Sequence, residues 1–350
     1  MSLRNPVVSV LAPSRAFALD VVDGTPFELL VALHALTSPD RGDTWAPRGI
    51  DECPPATRTA LAALGDPAGE LWLHLFGLAL EAEADDAAAF VEHVARMAPL
   101  DVRRHALGLY APGWSRMMGV DTIERAARGD ARARERLASE ALAYCAETGE
   151  SLAAVLPLDP AETKARIVTV LDRFEREVFG PREHSLRLQL DADAEARRAL
   201  IGTTDPYDLI ESASGGYRYQ HEPTFDRVLL VPHLADAPAI LLCEHRTSYM
   251  IAYPAASAEL DLERSLLAIG RALGDASRVA ILARLRRGEA NLAELADAAA
   301  LAKSTTHHHL VQLRAAGLIT VRGNTQGRTY ALDPAGFSEA ERLLAAYNPD

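Results

Sequence analysis

The stretch Lys303-Ser304-Thr305-Thr306-His307-His308-His309-Leu310 gathers short hydrogen-bonding side chains on a segment with helical periodicity. Thr306, Leu310 and Leu313 fall four and three residues apart and define an inward face. Lys303, Ser304, Thr305, His307 and His308 are left on the outside, while His309 turns toward the core. Donors and acceptors at the front end of an exposed helix can reach base edges in a major groove about 12 Å wide. Three histidines in a row also invite a metal reading. Successive helical residues point roughly 100° apart, and ligands on one helix need spacings of three or four, so these three cannot converge on one ion. Arg314, at the far end, suits a phosphate contact or a surface ion pair. Beyond it Arg322 and Arg328 bracket the turn Gly323-Asn324-Thr325-Gln326-Gly327. Its Asn324 and Gln326 can hydrogen-bond, and its arginines suit a phosphate or a minor groove.

Elsewhere the chemistry is thin. His93 with His105, and His221 with His233, form no metal-ligand spacing, and no GxSxG, P-loop or GxGxxG occurs. Cys53, Cys145 and Cys243 lie far apart, which excludes a disulfide framework and a local thiolate site. No cofactor and no catalytic activity are therefore expected. Trp72, Tyr110, Trp114, Met117 and Met118 could line an apolar pocket for a small-molecule effector, or simply fill a core.

The elements that must position these residues divide the chain in three, with an α+β, mostly α, fold. Residues 1–180 read as a helical accessory or sensor domain, rich in Ala, Leu, Arg and Glu and punctuated by Pro and Gly. Its first helix opens at Thr25-Pro26-Phe27-Glu28, which reads as a capping box with proline at the first helical position. Residues 181–256 are a mixed segment. Ser185–Leu190 fits a strand or a helix, whereas 215–254 reads as an antiparallel β-meander belonging to the accessory domain. Residues 257–350 lay out a helix to Leu273, a second over Ala276–Arg286, a capping box at Asn291-Leu292-Ala293-Glu294, the helix from Lys303 to Ala316, a hairpin with strands Leu318–Arg322 and Arg328–Leu332, and a last helix over Ser338–Tyr347.

Charge follows the same division. The net charge is −13, yet residues 271–330 hold nine basic against four acidic residues, a local +5 that leaves −18 on the rest. An acidic body with one basic module is the distribution expected when only that module meets phosphates. Apolar residues at 49% and charged residues at 24% exclude a disordered chain. Leu71–Leu80, interrupted by His74, is too short to span a bilayer, and the N-terminus lacks a signal-peptide core. A cytoplasmic location without membrane contact is expected.

The C-terminal module resembles the ArsR family of winged-helix transcription regulators. The likeness runs from Ala268-Ile269-Gly270-Arg271-Ala272-Leu273-Gly274-Asp275-Ala276-Ser277-Arg278 through Ile281-Leu282, Glu294-Leu295-Ala296 and Ser304–Leu310. It continues through Leu313-Arg314-Ala315-Ala316-Gly317-Leu318-Ile319 and ends at Gly327-Arg328-Thr329-Tyr330-Ala331-Leu332, about a quarter of the chain. It implies a homodimer packed through the first and last helices of the module, a nearly palindromic operator in double-stranded DNA, and repression as the commoner mode. Ala276 departs from the family's proline, and Ala302 from its capping serine. The third helix offers no cysteine pair and the last helix carries Glu339 and Glu341 but no histidine, so neither of the family's metal-sensing routes is expected. The alternative is a protein-interaction or enzymatic N-terminal module, with the winged helix used for docking on protein.

Overall fold

Proline and glycine cut the first half of the chain into short helices. The computed structural model describes residues 17–37, 50–64, 69–144, 152–236, 239–255, 262–324 and 327–347. In the accessory body these give α1 (Thr25–Thr37), α2 (Pro55–Leu64), α3 (Glu70–His74), α4 (Phe76–Ala82), α5 (Ala87–Arg96), α6 (Pro99–Ala106), α7 (Pro112–Met118), α8 (Val120–Ala127) and α9 (Ala131–Tyr144). They are followed by α10 (Pro160–Phe174), α11 (Gly180–Arg198) and α12 (Pro206–Ala213). Proline supplies the first residue of α6, α7, α10 and α12, where its missing N–H costs nothing. Asp86, Asp159 and Asp205 accept backbone N–H groups at the starts of α5, α10 and α12. Ser185–Leu190 is helical, inside α11. A π-helical turn over Glu175–Phe179 joins α10 to α11 just ahead of Pro181, which lacks the N–H to continue an α-helical ladder.

At the capping box expected over Thr25-Pro26-Phe27-Glu28, both side chains have partners far away in the chain. Glu28 is buried and accepts the N–H of Leu234 at 2.9 Å, and the Thr25 hydroxyl donates to Glu183. Long-range partners have taken both side chains of the local motif.

The strands are β1 (Ala18–Val21), β2 (Tyr217–Tyr219), β3 (Arg227–His233), β4 (Leu241–His245), β5 (Ser248–Pro254), β6 (Ala290–Asn291), β7 (Ile319–Asn324) and β8 (Gly327–Leu332). They form two sheets, ordered β1-β3-β5-β4 and β2-β7-β8-β6. The expected antiparallel meander over 215–254 is thus corrected. β3 pairs parallel with both β1 and β5, and only the β4–β5 hairpin is antiparallel. Alternation along a strand has period two in either pairing, so it could not show which neighbour ran which way.

Both faces of the first sheet are covered, as strands in parallel pairs favour. Leu229, Val231, Met250 and Ala252 enter the core of the helical body. Their neighbours Val228, Leu230, Tyr249, Ile251 and Tyr253 enter a second core, which continues through Tyr217 and Phe225 to Leu310, Leu313, Ile319 and Tyr330 near the C-terminus. That second core ties the C-terminal helices α13 (Leu262–Leu273), α14 (Ala276–Leu285), α15 (Leu292–Ala299), α16 (Lys303–Ala315) and α17 (Pro334–Tyr347) to the accessory part. The boundary expected at 256/257 separates stretches of sequence, yet the core crosses it.

Candidate nucleic-acid interface

The two helices that lead to α16 are fixed by local chemistry. Asp275 caps α14 by accepting the N–H of Arg278 at 3.0 Å. The Arg278 guanidinium reaches back to the carbonyl oxygens of Ala272 (3.0 Å) and Arg271 (2.5 Å) at the end of α13, and sits 3.3 Å from Nδ1 of His309 on α16. One side chain therefore satisfies the orphan carbonyls of one helix and braces another. The capping box of α15 forms as the sequence predicts. Asn291 Oδ1 accepts the N–H of Glu294 at 3.0 Å, and Glu294 Oε2 accepts the N–H of Asn291 at 2.9 Å.

α16 turns the face that its periodicity predicts. Thr306, Leu310 and Leu313 are buried, His309 is buried beside Arg278, and Lys303, Thr305 and His307 are exposed. His308 is half-buried, and Ser304 lies in the first turn. Ala302 gives the helix start no side-chain cap. The first N–H groups and the helix dipole thus face outward with the positive end leading, beside Lys303.

The hairpin that follows is tighter than expected. Asn324 pairs with Gly327, so Gly323, Asn324 and Gly327 belong to the strands and the connection shortens to residues 325 and 326. Gln326 lies outside the described residues. A Cβ at Gly323 would stand 2.3 Å from the carbonyl oxygen of Gly327, which is why the strands can close this far along. Arg322 is exposed and 3.8 Å from Glu289, a loose surface pair worth little. Arg328 is exposed along its length, yet burial desolvates its guanidinium, and Tyr249, Tyr330 and Tyr217 behind the hairpin outweigh that and favour its charged form.

Arg314 is the correction. It is 6% exposed, and its guanidinium donates to the carbonyl oxygen of Ser214 at 2.5 Å. Burial brings it down to about 10 from the ordinary arginine value. It is turned into the accessory domain and cannot serve a phosphate from there.

Residues 273–322 match the family model described as a helix-turn-helix domain. The C-terminal region carries a helix-turn-helix domain. The match ends inside β7, and β8 and α17 lie beyond it. Among solved structures the chain is similar to NolR from Sinorhizobium fredii, at 25% identity over 27% of this chain and 97% of that one, with a TM-score of 0.21 that gives the likeness no weight. No curated protein matches the chain.

The accessory body holds an ionisable cluster that sequence spacing did not reveal. Glu81 on α4 faces Nε2 of His245 at 2.9 Å, Nε2 of His105 at 3.5 Å and the guanidinium of Arg246 at 2.9 Å. The two imidazoles stack with centroids 5.5 Å apart, and Arg246 lies over the Tyr110 ring. Burial pushes His105 down to about 3 and also lowers His245. Burial alone would raise Glu81, but hydrogen bonds from His245 and Arg246 hold it below the usual carboxylate range. The three groups come from residues 81, 105 and 245, so no local motif joins them. Among the described residues no group of three or more His, Cys, Asp or Glu is arranged to hold a metal ion. Trp72, Trp114 and Met118, candidates for an effector pocket, are buried in the helical core, whereas Met117 is exposed. Among the described residues, no helix is long and apolar enough to cross a membrane.

Proposed function

We propose that this chain is a cytoplasmic, DNA-binding transcription regulator of the ArsR type, acting as a repressor. Its winged helix-turn-helix would read operator DNA as a homodimer, and its accessory domain would respond to a small ligand or partner rather than catalyse a reaction. One observation carries the proposal: the outward front of α16 presents Lys303, Thr305 and His307, while Thr306, Leu310 and Leu313 lock the opposite side into the core. Donors on an exposed helix front, within the basic segment of an acidic chain, support a base-reading role.

Exposed apolar side chains on the first and last helices of the module support the dimer. Leu267 and Leu273 on α13, and Phe337 and Leu344 on α17, are exposed although the two helices pack against each other. A second copy would cover such surface, and two copies would place two reading helices on one duplex face.

Titration of a labelled duplex, taken from the DNA directly upstream of the protein's own coding sequence, tests the proposal. Binding should weaken steeply with salt, with a log–log slope of about −0.9 for each phosphate neutralised, and size-exclusion chromatography should return a dimer. A chain that retards no duplex and passes a heparin column unretained would move the helix-turn-helix domain to protein docking. A thermal-shift screen would find an effector, since a ligand at one hundred times its Kd adds about 2.7 kcal/mol.

A further inference from the structure

The hairpin β7–β8 does not stand alone. Strand β2 of the accessory part pairs parallel with β7, Tyr217 opposite Val321 and Tyr219 opposite Gly323. Val321 N–H donates to the Gly216 carbonyl oxygen at 2.9 Å and Gln220 N–H to that of Gly323 at 3.1 Å. The Tyr217 hydroxyl donates to the same Gly323 oxygen at 2.9 Å, and the Tyr249 hydroxyl lies 3.2 Å from it, so Tyr249 is the donor of that second bond. Both rings are fully buried. Tyr249 belongs to β5, whose next residue, Met250, packs into the helical body.

The far end of α16 is held at the same corner. Arg314 donates to the carbonyl oxygen of Ser214, the residue that ends α12. Ser214 Oγ accepts the N–H of Tyr217 at 3.1 Å, closing the corner on itself. Between them Gly215 and Gly216 both adopt positive φ, +64° and +95°, a pair of left-handed steps that residues with side chains rarely take. Those steps turn the chain sharply enough to bring a carbonyl to the recognition helix and a strand to the wing within five residues.

Resting on the DNA-binding reading above, we propose that the corner Ser214–Tyr219 positions the DNA-reading elements, fixing α16 and the β7–β8 wing relative to each other so that the accessory domain sets DNA affinity through it. Tyr217 and Arg314 are the positioning residues. Neither touches DNA; one holds the strand leading to the Arg322–Arg328 tip, and the other holds the helix that carries Lys303. A shift of β5 within the accessory part moves Tyr249, and with it the anchor of the wing.

The full-length chain and sonicated duplex DNA test this by fluorescence anisotropy at several salt concentrations. Tyr217→Phe removes one hydroxyl and keeps the ring, and Gly323 still accepts from Gln220. It should lower affinity about tenfold and flatten the log–log salt slope by about one phosphate, as the wing arginines drift from register. Arg314→Met should lower affinity by a similar factor, and Arg314→Lys, which can still donate to Ser214, should restore most of it. A purely structural role would lower Tm and leave the salt slope of the folded molecules unchanged. Wild-type binding with both variants at wild-type affinity and slope overturns the corner alone, whereas failure of the wild type to bind any duplex removes the DNA reading and the corner together. Should a variant not fold, hydrogen exchange on the wild type decides: DNA should increase protection of the Val321 amide, and an unchanged exchange rate counts against the proposal.

Discussion

At Lys303 the charge faces solvent; at Arg314 the same kind of charge is turned inward. The difference yields a prediction. Lys303→Ala and Arg328→Ala should each weaken duplex binding and reduce the magnitude of the salt slope by about one, with the urea midpoint of Lys303→Ala essentially unmoved because exposed side chains contribute little to stability. Anisotropy titrations with parallel urea melts would show it, and an unchanged slope in both would take these residues off the DNA face. The inward set Thr306, Leu310 and Leu313 was legible because apolar spacing on one helix is a local property. His309 was legible for the same reason. Arg314 was not, because arginine at the end of an exposed helix is ordinarily solvated, and only the distant Ser214 carbonyl makes burial tolerable. Arg278 passed unnoticed as a brace, since its acceptors lie on α13 and its third contact on α16.

Among elements, two capping-box sequences written in similar residues sit in different surroundings. Asn291 and Glu294 bond each other's backbone at 3.0 and 2.9 Å on an exposed helix start, with only the loose contact of Arg284, 3.8 Å from Glu294, to compete. Thr25 and Glu28 sit where α1 is buried, and Glu183 and the Leu234 N–H claim them. Local signals of this kind are decisive at the surface and negotiable in a core. Asn291→Ala should therefore cost about 1 kcal/mol, the usual value of an N-cap. Glu28→Ala should cost more, about 1–3 kcal/mol, because it strands the Leu234 N–H away from water. Urea denaturation of the two variants ranks them, and equal losses would mean that Glu28 acts only as a helix cap. The hairpin obeys the same logic. Its strands were visible as apolar runs, but their extension to Asn324 and Gly327 depends on the close approach of Gly323 to the Gly327 carbonyl.

Across the whole molecule, the sheet β1-β3-β5-β4 is a partition with a helical core on one side and a core shared with the helix-turn-helix domain on the other. Sequence periodicity showed its strands but not their order, because β5 inserts between β3 and β4 and β1 arrives from two hundred residues away. The partition also gathers histidines from distant positions into dry surroundings: His105 and His245 beside Glu81, and fully buried His233 at the end of β3, down to about 4. In the folded chain His105 stays neutral to about pH 3 and His233 to about pH 4, both through burial. In the unfolded chain each takes a proton below about 6.5. The unfolded state thus binds more protons through this window, so stability must rise with pH across it and fall as the solution is acidified. Each group contributes up to about 1.4 kcal/mol per pH unit below 6.5 until its folded value is reached. From pH 6.5 to 5 the two together should remove about 3 kcal/mol. Glu81, held low in the folded state, adds loss of the same sign only nearer pH 4. Urea midpoints between pH 8 and 5 should be flat above 7 and drop steeply below 6.5, and His105→Gln, which cannot titrate, should make the drop smaller whatever it does to the plateau, with His233 and the also-lowered His245 supplying the rest. A midpoint that does not move between pH 7 and 5 would mean that these imidazoles meet water in the native state, and the partition would then not be the dry wall that seals the two cores.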